Sequence, residues 1–143
     1  MSTPPSQPAK ARVVIIGGGV VGCSVAYHLA HLGWTDVVLL ERKQLTSGTT
    51  WHAAGLIGQL RATSNMTKLA RYTQELYTRI EAETGVATGF KRVGSMSLAL
   101  TDDRLEELKR SASMARSYGV PVEPISLEEA RRRHPLLSTE GAK

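Results

Sequence analysis

The chain has 143 residues, 41% hydrophobic and 22% charged, with a formal net charge of +5; this is ordinary globular composition and length enough to bury one core. Its basic residues lie among acids except at Arg131-Arg132-Arg133 beside Glu128 and Glu129, and no aromatic stacking pattern accompanies them, so that cluster reads as a solvated face and no nucleic-acid partner is expected. No apolar run approaches ~18 residues, so neither a membrane-spanning helix nor a membrane partner is expected; Cys23 is the only cysteine, which leaves no internal disulfide, no cysteine-based metal site, and a reducing, cytoplasmic setting as the expectation.

Residues 1–11, with three prolines in the first nine and no signal-peptide core, read as a disordered polar leader. Val13 to Ile16 is a continuous apolar run of the kind a strand covered on both faces carries. It feeds into Gly17-Gly18-Gly19-Val20-Val21-Gly22, and a helix pattern opens there with Val21, Val25, Leu29 and Leu32 at helical spacing and Gly33 as its stop. Val37 to Leu40 is a second apolar strand, parallel to the first across a right-handed crossover, and Glu41 ends it. Strand, glycines, helix, second strand and terminal acid together predict a dinucleotide-binding β-α-β unit. In that reading Gly17 turns the chain off the strand, Gly19 lets backbone approach a pyrophosphate, and Gly22 lets helix lie close on strand. The helix N-terminus favours the phosphate charge, and Glu41 accepts from a ribose hydroxyl, which makes NADP the least suited ligand.

Residues 42–58 have no clear period and hold Ser47, Gly48, Thr49, Thr50, Trp51, His52 and Gly55; a connection this long and rich in hydroxyls is more often functional than idle. Ser64 or Asn65 is expected to cap an amphipathic helix running to about Thr84, with Gly85 past its end. Met96, Leu98 and Leu100 alternate with Ser95, Ser97 and Ala99, predicting a half-buried strand from about Arg92 to Leu100 in a second, antiparallel sheet. Thr101 is placed to cap a helix with Leu105, Leu108, Ala112 and Ala115 as its buried stripe. Val120 to Ile125 predicts a short edge strand, and Ser126-Leu127-Glu128-Glu129 a capping box opening a last helix that Pro135 stops.

The fold expectation is α/β: an incomplete Rossmann-like β-α-β unit followed by the start of an α+β substrate domain. The domains expected are 12–86, the amino-terminal part of a dinucleotide-binding domain, and 87–143, a truncated substrate domain. The glycine motif alone does not separate FAD from NAD, and a doubly wound sheet usually has five or six strands where only two are recognisable here. A non-catalytic nucleotide-binding or interaction module and an NAD-dependent enzyme therefore stand as alternatives.

At Leu45-Thr46-Ser47-Gly48-Thr49-Thr50-Trp51-His52-Ala53-Ala54-Gly55-Leu56, with the glycine motif and Leu40-Glu41-Arg42, the chain resembles the amino-terminal part of the sarcosine and dimethylglycine dehydrogenase family, within the D-amino-acid-oxidase-like FAD enzymes. The likeness continues through Glu83-Thr84-Gly85, Gly94-Ser95-Met96 and Glu129-Ala130. It implies FAD as cofactor, held covalently through His52 at the flavin 8α carbon. It places Gly17, Gly19, Val20, Val21 and Gly22 at the pyrophosphate, and Glu41 and Arg42 at the adenosine ribose. Ser47, Gly48, Thr49, Thr50, Trp51, His52, Ala53, Ala54, Gly55 and Leu56 then run along phosphates and flavin. The implied reaction is oxidation of an N-methyl amine, with electrons passing to another carrier and, in a carboxy-terminal part beyond this chain, tetrahydrofolate trapping the one-carbon unit. Catalytic residues are not assigned, and the 143 residues alone are expected to lack turnover.

Overall fold

The four apolar residues of β1 (Val13–Ile16) pair in parallel with the four of β2 (Val37–Leu40), Val13 opposite Val37 and Ile16 opposite Leu40. The computed structural model describes residues 10–143, so the expected leader falls almost wholly outside the described residues. Between the strands runs α1 (Val20–His31). It closes as a Schellman motif: Gly33, at φ +83°, donates to the Ala30 carbonyl, and the next N–H, that of Trp34, donates to Leu29. Only glycine takes that φ without a Cβ clash. Arg12 fastens the return, its guanidinium 3.8 Å from the centre of the Trp34 ring and its backbone N–H bonded to Asp36.

The α1 stripe read from spacing is not the face against the sheet, since Val21, Val25 and Leu32 are exposed. Leu29, the fourth residue of that stripe, is half-buried, as are Gly22, Cys23, Ala26, Tyr27 and His28. At the turn-side end of the helix these positions are small, Gly22, Cys23 and Ala26, because the glycine turn brings helix and strand too close there for larger residues. β1 and β2 are the only strands among the described residues, and Val14, Ile16 and Leu40 are exposed, Ile16 at 87%.

Residues up to Leu56 form one compact unit and Ile57–Lys143 another. The second is built on α2 (Ser64–Thr84), α3 (Asp102–Ser117) and α4 (Leu127–Arg133). Thr63, not Ser64 or Asn65, caps α2, its hydroxyl accepting from the Met66 N–H. Three adjacent residues have capping side chains, and the one whose backbone is extended takes the role. Gly85 at φ +70° ends α2 as expected, and Thr101 caps α3 with Asp102 and Asp103 at its positive end. Ala112 and Ala115 are the buried part of the α3 stripe, and Leu76, Ala99, Val120 and Ala130 are the other buried apolar residues described in this unit. Arg71 of α2 donates from Nη1 to the Tyr118 carbonyl at the end of α3, 3.2 Å, which ties the two helices.

Neither expected strand forms: 92–100 and 120–125 carry no ladder. Met96 and Leu98 are half-buried, but Ala99 is buried and Leu100 exposed, which breaks the alternation. A strand needs a partner edge as well as a pattern, and no neighbouring strand lies beside either segment among the described residues.

Ser126 caps α4 as expected, accepting from the Glu129 N–H. The reciprocal half of the box is absent, because the Glu129 carboxylate takes the Arg132 Nε at 2.6 Å, the Arg132 Nη2 at 2.7 Å and the Arg133 Nε at 2.6 Å. These charge-assisted bonds, Arg132 first and Arg133 next, lower the Glu129 carboxyl from 4.5 to about 2. A depressed folded value contributes stability that is complete above 4.5 and lost as pH falls toward about 2. Helicity of the chain measured by circular dichroism is therefore expected to decline slightly across that window, and Glu129→Gln to remove the decline. The effect is small because all three side chains meet water.

Candidate nucleotide-binding site

The polar groups of the first unit meet at Gly18, a buried residue. The Gly17 N–H first donates to the Leu40 carbonyl at 2.8 Å, one step beyond the ladder, and the chain then turns at φ +102°. The Gly18 N–H donates to Glu41 Oε2 at 2.8 Å. Its carbonyl accepts from the Thr46 N–H at 2.8 Å and from the Cys23 thiol at 3.4 Å. The half-buried Cys23 is thus a small residue beneath the turn, in keeping with its position on α1.

Gly18, Gly19 and Gly22 each face a different obstacle, whereas Gly17 is required by its φ of +102° alone. A Cβ on Gly18 would come within 2.5 Å of Leu45 Cδ2 and 3.1 Å of Glu41 Cβ; one on Gly19 would lie 3.1 Å from Thr50 Oγ1. A Cβ on Gly22 would run into the Gly17 carbonyl oxygen. Gly18 was not singled out by the motif spacing, which treats it as a free position. Its signal in the sequence is the run of three consecutive glycines.

Glu41 stands at the end of β2 with both carboxylate oxygens engaged by backbone, Oε2 by Gly18 and Oε1 by the Lys43 N–H at 2.9 Å. The Gly18 bond, then the Lys43 bond, and further the Arg42 amide and charge, hold the carboxyl below its ordinary value. A carboxylate has about four lone-pair sites, so acceptor capacity remains for a further donor. Arg42 follows and is exposed.

Thr50 reaches α1 from the other side, its hydroxyl accepting from the Val20 N–H at 2.9 Å. One of the helix's unpaired N-terminal donors is thereby satisfied by a side chain 30 residues further on. The hydroxyl proton stays available for donation to an acceptor such as a phosphate oxygen. α1 has no acid in its first turn, so nothing on the helix itself opposes a negative ligand there.

Thr50 belongs to a 3₁₀ turn, Thr49–His52, closed by Trp51 N–H to Gly48 carbonyl at 3.1 Å and Ala53 N–H to Thr50 carbonyl at 3.2 Å. Ser47, Gly48, Thr49, Trp51 and His52 are exposed on the same segment, Trp51 at 76%, and Ala53, Ala54, Gly55 and Leu56 continue it in exposed chain. Val20 and Val21 are exposed too. The structure therefore gathers Gly17, Gly18, Gly19, Val20, Gly22, Glu41 and Thr50 in one cluster, bonded from Glu41 to Gly18 and from Thr50 to Val20 and closely approached at Gly19 and Gly22. The side chains of Ser47, Thr49, Trp51 and His52 make none of the bonds in it.

These residues fit a dinucleotide. They offer a glycine surface that added Cβ atoms would obstruct, a depressed carboxylate with spare acceptor sites, a hydroxyl at a helix N-terminus, and exposed apolar side chains beside them.

A family model described as FAD dependent oxidoreductase matches residues 12–142. The chain is 49% identical over 92% of its length to the mitochondrial pyruvate dehydrogenase phosphatase regulatory subunit of Mus musculus, and 44% identical over 93% to the mitochondrial sarcosine dehydrogenase of Homo sapiens. It spans 15% of the length of each. Among solved structures, glycine oxidase from Bacillus cereus superposes with a TM-score of 0.75 at 31% identity, over 93% of this chain and 38% of that one.

Proposed function

The chain belongs to the FAD-dependent oxidoreductase family, and from that premise we propose that it is the cofactor-binding portion of an enzyme that oxidises N-methyl amines such as sarcosine or dimethylglycine. The single observation that carries the reading is the cluster at Gly18, where the glycine turn, the Glu41 carboxylate and the Thr50 hydroxyl converge on the start of α1. Gly17, Gly19, Val20, Val21 and Gly22 take the pyrophosphate, Glu41 and Arg42 the adenosine ribose, and Ser47 through Leu56 the phosphates and flavin. His52 is the point of covalent attachment. FAD, when bound, supplies the hydride-accepting chemistry; these residues bind and orient it. The NAD alternative is set aside, since the matching family is named for FAD.

We further propose that 12–86 serves FAD and that 87–143 begins the substrate domain, although the compact units part at Leu56. The substrate is a small N-methyl amine, and the electrons leave to an acceptor protein. Tetrahydrofolate belongs to a further part of the protein. The compartment proposed on the single Cys23 is reducing and cytoplasmic; the mouse and human relatives are named mitochondrial.

A second reading, a regulatory module that keeps the flavoprotein fold without amine oxidation, is favoured by one observation, the 49% identity to a protein named as a regulatory subunit. Turnover of an N-methyl amine by a protein of the relatives' length separates the two.

Flavin fluorescence titration of the 143-residue chain tests the site. The wild type is expected to bind FAD without oxidising sarcosine when given an artificial acceptor. Glu41→Ala is expected to weaken binding about 10- to 100-fold, since it removes a charged acceptor from the ligand and from the Gly18 N–H together. Equal affinity of the two proteins would take Glu41 out of the site.

A further inference from the structure

Thr46 has φ +64° and is the only residue other than glycine with a positive φ among those described. For a β-branched side chain this is a true outlier, because the Cβ crowds the carbonyl and the branch removes the rotamers that would relieve it. Such a conformation persists only where the surroundings impose it. Here the imposing contact is the Thr46 N–H donated to the Gly18 carbonyl at 2.8 Å. The neighbour on one side, Leu45, lies against Gly18, where an added Cβ would find its Cδ2 at 2.5 Å. On the other side begins the Ser47–Leu56 segment. The left-handed residue is therefore the bend at which the chain, having touched the glycine turn, reverses to deliver Thr50 to the Val20 N–H.

The geometry points to Thr46 as a positioning residue for the cofactor site: its left-handed backbone, not its hydroxyl, docks the Ser47–Leu56 segment on the glycine turn and so sets the affinity for the dinucleotide. The inference rests on the proposed FAD site and concerns a residue outside the cofactor-lining set. Its physical content is preorganisation. A segment already held in its binding conformation has less freedom to lose when ligand arrives.

Three variants of the 143-residue chain separate backbone from side chain. Thr46→Asn accepts the left-handed region, Thr46→Val keeps the branched shape without the hydroxyl, and Thr46→Pro fixes φ near −65° and removes the donor. In FAD titrations Asn and Val are expected within about 3-fold of wild type, and Pro about 100-fold or more weaker. Amide hydrogen exchange on the free chain provides a reading without ligand. The Gly18 and Val20 amides are expected to be protected in wild type, Asn and Val, and to lose protection in Pro, while the β1 and β2 amides stay protected in all four. Wild-type affinity in the Pro variant, or unchanged exchange at Val20, overturns the inference. So does a loss in Val equal to that in Pro, which would make the hydroxyl the active group. A wild-type chain that binds no FAD yet shows the expected exchange pattern brings down the FAD assignment and leaves the docking role of Thr46 standing.

Discussion

After acid precipitation of a protein of the relatives' length that carries this chain, yellow flavin is expected in the washed pellet, and the His52→Ala variant is expected to release all of it to the supernatant. Denaturation frees a dissociable cofactor, because the folded contacts that hold it vanish, whereas a bond between imidazole nitrogen and the flavin 8α carbon survives. His52 suits such a role by access. It ends, exposed, a 3₁₀ turn whose second residue, Thr50, is tied to the N-terminus of α1, so the imidazole is held near the proposed site without being consumed by a structural bond there. The expected change is complete: all retained flavin lost. Binding need not be lost with it, since Glu41, Thr50 and the glycine turn are untouched. Mass spectrometry of the wild-type pellet should find the flavin on a peptide spanning Thr49 to Leu56. Flavin wholly in the wild-type supernatant would return His52 to an ordinary loop residue.

The largest loss of stability is expected at Gly22. An added Cβ there overlaps the Gly17 carbonyl oxygen, a backbone atom at the pivot of the turn, and backbone cannot swing away as a long side chain can. Gly22→Ala must push α1 off the sheet or displace the turn, a change expected to cost about 3 kcal/mol or more, at the upper end of overpacking effects. Gly19→Ala should be milder, because its obstacle is the Thr50 hydroxyl at 3.1 Å, which can rotate. Gly58→Ala serves as a control: the added carbon meets only Arg61 Nη1, the far end of a flexible side chain, at 3.4 Å, so stability should change by less than about 1 kcal/mol. Thermal melts followed by circular dichroism rank the three. A Gly22→Ala melt matching that of wild type would mean that the helix has room to move away.

The helices of the second unit were legible because their signals are local. Thr101, Ser126 and Gly85 act within one turn of their own positions, and each ends or starts a helix where its chemistry says it should. The strand expected from Arg92 to Leu100 failed for the opposite reason. Its alternating pattern describes a face to be covered, but pairing depends on an edge supplied by some other segment, and none lies beside it among the described residues. The α1 stripe failed in part: of Val21, Val25, Leu29 and Leu32 found by helical spacing only Leu29 is half-buried, while the close approach at Gly22 selects small residues at the turn-side end of the helix.

Sequence alone was sufficient for the parallel β-α-β unit, the three motif glycines and Glu41 at the end of β2, since each rests on residue types at fixed offsets, and the resemblance carried by Leu45 to Leu56 was sufficient for the family. Tertiary structure alone decided that Gly18 is the meeting point, that Glu41 reaches its N–H across 23 positions and Thr50 the Val20 N–H across 30, and that Thr46 is driven left-handed between them. Contacts that span such lengths leave no periodicity to read. They arise only once the crossover has brought the end of β2 beside the end of β1 and the buried backbone groups there must find partners.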